Sequence, residues 1–178
     1  MNIYHQLETS HSKENSLKIV SYIGNDPLLF KELMNCFFMG TKDYRVPQRA
    51  AHVVSLSFQK NPGLIYPYIP RLIPLLQEQD LKGALKRNIL RVLQFCEIEE
   101  SLRGVLYSRV FELLADPKEE IAIRAFAMTV LYNLSAHYPE LKNELTTMIE
   151  MVLEEPNVSA GIRTRSRKIL KELQKELR

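Results

Sequence analysis

The residues of this chain whose types could do chemistry are four histidines, two cysteines and three adjacent glutamate pairs. His5, His11, His52 and His137 are scattered, with no HExxH and no pair at i, i+4 that would set two imidazoles on one helix face to hold zinc. Cys36 and Cys96 lie in apolar neighbourhoods (MNCFF and LQFCE) without CxxC spacing. They offer neither a metal knuckle nor a disulfide framework and are expected as buried thiols. Glu99–Glu100, Glu119–Glu120 and Glu154–Glu155 are paired carboxylates at helix ends, but neighbours at i, i+1 point apart on a helix and make poor acid/base partners. Helix N-termini attract the first two pairs; Glu154–Glu155, at a C-terminus, has no such account. Gly63, Gly83, Gly104 and Gly161 stand singly, so no glycine-rich loop cradles phosphate. The expectation is a protein that is not an enzyme, with no metal, no cofactor and no evident small-molecule substrate.

The elements that would position any site follow from length and periodicity. At 178 residues the chain is long enough for one domain with a sizeable core. It has no apolar run near the ~18 residues of a membrane span and no apolar signal core near its N-terminus. A cytoplasmic location is the expectation. Sliding the sequence by 38 residues aligns three apolar columns: Met34, Leu72, Val110, Met148; Phe37, Leu75, Leu113, Met151; and Phe38, Leu76, Leu114, Val152. A fourth column, Asn35, Ile73, Phe111, Ile149, breaks only at its first member. Positions i, i+3 and i+4 recurring together mark one helix face, repeated.

A second helix follows each of these, marked near its start by Arg49, Arg87, Arg124 and Arg165. Asp43, Asp80 and Asp116 precede second helices, where a carboxylate can accept orphan amide hydrogens. Pro27, Pro62, Pro117 and Pro139 fall where a first helical position is expected. First helices are predicted near 27–39, 62–78, 100–115 and 139–154, and second helices near 44–59, 82–97, 117–136 and 159–177. A helix near 13–24 precedes the first pair, and residues 1–12 read as a polar tail before a single domain at 13–178. Pro67, Pro70 and Pro74 within one element predict a late start or a kink.

The segments DYRVPQRAAHVV, DPKEEIAIRAFAMTVL and YIPRLIPLLQ resemble HEAT repeats, and the likeness runs over roughly 27–175. The resemblance implies an all-α, armadillo-like, right-handed α-solenoid of about four helix pairs, with the helix near 13–24 as its cap. It further implies an inter-repeat ladder in which Arg49, Arg87 and Arg124 pair with Asp43, Asp80 or Asp116. It also implies that second helices line a concave side. The fourth repeat departs from the pattern, with Asn157 near its turn and Ser166 after its arginine.

Charge is segregated by element. The second helices, counted with the adjoining Lys60 and Arg178, hold 16 Lys/Arg against 5 Asp/Glu, and the first helices with their turns hold 6 against 14, within a chain of net charge +3. On the last helix Arg163, Arg167, Lys171 and Lys175 recur every four residues against Ile162, Ile169, Leu173 and Leu177, a basic stripe and an apolar ridge. Arg45, Arg49, Lys86, Arg87 and Arg91 continue the theme, though a solvated face would carry such charge too. HEAT-like DNA glycosylases rely on Trp and a groove carboxylate; this chain has no Trp. Fumarase-type helical lyases carry a serine-rich Ser-Ser-x-Met-Pro loop that is absent. The expectation is an interaction scaffold taking an acidic protein segment on Arg45, Arg49, Lys86, Arg87, Arg91, Arg163, Arg167 and Lys171. The alternative is a nucleic-acid-binding module without glycosylase activity, on the same face. Asp43, Asp80, Asp116 and Arg124 are expected in the structural ladder.

Overall fold

Helix-starting side chains punctuate the chain. The side chains of Asn2, Ser12, Asp26 and Ser159 each accept an amide hydrogen from the first turn of the helix they precede, satisfying donors that have no partner inside it. A computed structural model describes residues 1–39 and 44–177, and among these the chain forms ten α-helices and no strand. The helices are α1 (Ile3–Thr9), α2 (Lys13–Ile23), α3 (Pro27–Phe37), α4 (Arg45–Lys60) and α5 (Ile69–Leu75), then α6 (Gly83–Leu93), α7 (Glu100–Ala115), α8 (Ile121–Ser135), α9 (Leu141–Glu154) and α10 (Ala160–Glu176). The all-α repeat architecture expected from the periodicity is present. Asp43 lies outside the described residues.

Contacts divide the chain into two compact units: Met1–Leu72 with Asp80–Val92, and Ile73–Gln79 with Leu93–Arg178. In the first, α4 packs on α1, α2 and α3. Its small residues Ala50 and Ala51 are fully buried and let these neighbours approach closely, while Val46, Val53, Val54 and Phe58 fill the space around them. Residues 3–9 are not a tail. Ile3 and Leu7, one helical turn apart, are both buried on α1, and two apolar residues among seven were too faint a pattern to announce a helix. The proline-rich element starts late, as expected. Pro62–Tyr68 is a 3-10 run holding Pro67, and α5 begins only at Ile69.

In the second unit α8 packs on α7, α9 and α10. Its start is a correction: α8 begins at Ile121 and not near 117, because Asp116 ends α7 and accepts the Lys118 amide hydrogen at 2.9 Å in a separate turn. Pro139 likewise sits before α9 rather than inside it. In the column Phe38, Leu76, Leu114, Val152 the last three are buried and Phe38 is half-buried. The column ending at Met151 fails at that last member, for Met151 is 57% exposed. The physical cause is an extra residue: Leu106, Val110 and Leu113 of α7 correspond to Leu145, Ile149 and Val152 of α9, all buried, at a spacing of 39. One added residue rotates a helix face by about 100°, which carries Met151 out to solvent.

Candidate functional site

The repeated arginines have different fates. Arg124 on α8 is buried. Its Nε donates to the Leu114 carbonyl at 2.9 Å, and its Nη1 and Nη2 donate to the two carboxylate oxygens of Glu155, the former at 2.8 Å. A fork-to-fork pair of this kind is strong and directional, and it ties the ends of α7 and α9 through α8. The expected turn aspartate is not its partner. Asp116 is occupied with its own turn, and the carboxylate that reaches Arg124 is Glu155, just past the end of α9. The glutamate that had no explanation at a helix C-terminus is there for this guanidinium.

Arg49 on α4 occupies the equivalent repeat position in the first unit and uses carbonyls instead. Its Nη1 donates to the Leu7 and Glu8 carbonyl oxygens at 2.7 and 2.8 Å, closing the last turn of α1. Arg165 on α10 donates to the Thr129 hydroxyl of α8. Arg87 is half-buried on α6, and Asp80 is exposed with no hydrogen bond or ion pair among the described residues. At three of the four positions, then, a buried or half-buried guanidinium stitches helices together, with acceptors that differ each time.

The displayed cations lie elsewhere. α10 buries Ile162, Ser166, Ile169 and Leu173 and turns Arg163, Arg167, Lys168 and Lys171 to solvent. Arg163 donates weakly to the Val158 carbonyl at 3.4 Å, whereas Arg167, Lys168 and Lys171 have no hydrogen bond or ion pair among the described residues. The far end of α10 is latched: Glu176 accepts from the Tyr132 hydroxyl and meets Lys142 Nζ at 3.0 Å. Those two partners hold the Glu176 carboxyl below its ordinary range, and the same bond, helped by partial burial, pushes the Tyr132 phenol up to about 12. Lys175 is paired with Glu172.

In the first unit α4 and α6 carry Arg45, Arg49, Lys60, Lys86, Arg87 and Arg91 and no carboxylate. Arg45 is exposed; Lys86 and Arg91 are half-buried. Between α2 and α4 lies a groove of about 400 Å³ lined by His11, Ser12, Lys13, Ser16, Leu17, His52 and Leu56. Burial lowers the His52 imidazole below its ordinary range, and the nearby positive charges of Arg91, His11 and Arg87 lower it further. This groove was not foreseen, since His11 and His52 are far apart in sequence and only the packing of α2 on α4 joins them.

Among the described residues no three His, Cys, Asp or Glu side chains gather into a group that could hold a metal, and no helix is long and apolar enough to cross a membrane. Cys36 and Cys96 are buried and form no disulfide, and burial raises both thiols to about 11, well away from the reactive thiolate.

The sequence matches the family model of the HEAT repeat domain over residues 3–173, α1 included. The chain belongs to the HEAT repeat family, whose repeats generally serve as protein-interaction scaffolds. No curated protein matches it.

Proposed function

We propose that this chain is a non-catalytic cytosolic scaffold that captures an acidic segment of a partner protein on the cations of its second helices. α10 supports this most directly: Arg167, Lys168 and Lys171 stand exposed opposite a buried apolar stripe and have no internal partner among the described residues. Cations so placed attract an anionic surface across roughly a Debye length, about 8–10 Å at physiological salt. Arg45, Lys86, Arg87 and Arg91 form the corresponding positive surface of the first unit, and Arg49 contributes its charge from within its clamp on α1.

The cations of α10 have no aromatic side chains between them, which disfavours single-strand stacking and leaves duplex phosphate as the competing ligand. The test uses fluorescein-labelled acidic peptide and duplex DNA against the full chain and its Arg163→Glu/Arg167→Glu/Lys171→Glu variant. Peptide affinity should fall about tenfold or more while helicity and melting stay put. Unchanged affinity would remove the basic face from consideration. Preferential capture of duplex, with a log–log salt slope of about 0.9 per phosphate, would favour a nucleic-acid module instead.

A further inference from the structure

The groove between α2 and α4 is built as two matching walls. On α2, Lys13 and Leu17 stand four residues apart; on α4, His52 and Leu56 do the same, and all four line the groove. Residues at i, i+4 share a helix face, so each wall offers a nitrogen base and, one turn away, an aliphatic side chain. His11 adds a second imidazole, and no carboxylate lines the groove. The carboxylates that α1 and α2 carry are engaged. Glu14 pairs with Lys18 at 2.8 Å, while Glu8 accepts from the Tyr4 hydroxyl and neighbours His5. α6 contributes the positive charges of Arg87 and Arg91, both felt by His52, and α4 itself carries Arg49, fixed on the α1 carbonyls. Every ionisable group lining this groove is basic, and half-buried Leu56 with partly exposed Leu17 supplies an apolar floor.

We propose that this groove is a docking site for an acidic amphipathic peptide segment, seating an aliphatic side chain on Leu17 and Leu56 and a carboxylate among His11, Lys13 and His52. The proposal rests on the scaffold reading and deepens it by naming a site and a recognition chemistry. Charge complementarity selects the carboxylate, and the apolar floor selects a peptide over phosphate backbone. A proton linkage follows. In the free protein burial first, and then the neighbouring cations, oppose protonation of His52; a carboxylate placed beside it favours the charged ring, so binding takes up a proton and tightens as pH falls.

The experiment titrates the full chain with a fluorescein-labelled synthetic peptide bearing Glu and Leu at helical spacing, and follows the His52 ring by NMR. Binding should be several-fold tighter at about pH 5.5 than at about pH 8, across the window in which imidazole changes charge. The His52 titration should move upward on saturation. His52→Gln should flatten the pH dependence, and Leu56→Asp should weaken binding about tenfold, with melting measured for both. An unmoved His52 titration at saturating peptide overturns the groove whichever variants fold. If binding is then lost on Arg167→Glu/Lys171→Glu, the groove alone is wrong and the scaffold reading stands. Absence of peptide binding at every pH overturns both. A duplex oligonucleotide that moves His52 when the peptide does not would assign the groove to nucleic acid and overturn the proposal.

Discussion

α8 and α10 pack against each other in the second unit, yet they use positive charge in opposite ways. α8 carries a single cation over its fifteen residues, Arg124, buried and bound on both its faces by Leu114 and Glu155. α10 carries six Lys/Arg over seventeen residues and leaves Arg167, Lys168 and Lys171 in solvent. A count of charges by element therefore mixes two populations, one that holds helices in register and one that faces outward. The expected run of positive charge through every second helix is interrupted at α8.

The largest expected effect breaks the α8 side of this contrast. Glu155→Ala strands a buried guanidinium and should lower unfolding free energy by about 2–4 kcal/mol, near the lower part of the range for a broken buried pair because Glu155 keeps some solvent contact. Urea melts are the measurement, with Arg167→Ala and Lys171→Ala as references expected within about 0.5 kcal/mol of the parent. Equal losses at all three positions would erase the distinction. A smaller effect sharpens it in the first unit: Arg49→Ala removes two carbonyl hydrogen bonds and should cost about 1–2 kcal/mol. Amide exchange should accelerate in Ile3–Thr9 and leave α7–α10 unchanged; a uniform acceleration would make Arg49 a global rather than a local clamp.

The smallest effect concerns the latched end of α10. The Glu176 carboxyl is held below its ordinary value of 4.5 by Tyr132 and then Lys142. A carboxyl depressed in the folded chain stabilises it above the unfolded value, and that contribution disappears as pH falls through the folded one. Fraying of the last turn of α10 should therefore increase on acidification below about pH 4.5. In Tyr132→Phe the same turn should already be frayed at neutral pH and respond less to acid. An identical pH response in both proteins would detach the latch from Glu176.

Most of the helical order was legible because a face repeated at i, i+3 and i+4 announces itself in any chain that must bury it. Leu76 and Leu114 are buried where the 38-residue period placed them. What escaped has local causes. α1 offers only Ile3 and Leu7; Asp116 spends its side chain on the turn at Lys118; the added residue before α9 turns Met151 outward. At the candidate site the basic stripe of α10 was visible as a four-residue spacing. The Arg124–Glu155 pair was not, because a partner 31 residues away has no local pattern. One hint existed: a glutamate beside a helix C-terminus opposes the macrodipole and calls for a cation nearby.

Repeat proteins are commonly shortened, spliced or recombined by cutting between one helix pair and the next. In this chain such a cut is not neutral. A fragment ending in the turn after α8 would keep Arg124 and discard Glu155, leaving a guanidinium whose remaining acceptor is the Leu114 carbonyl. The self-sufficient module is offset from the repeat: it runs past the next first helix to include Glu155, and any chimera that respects the sequence period but ignores that offset begins with an exposed fault at its seam.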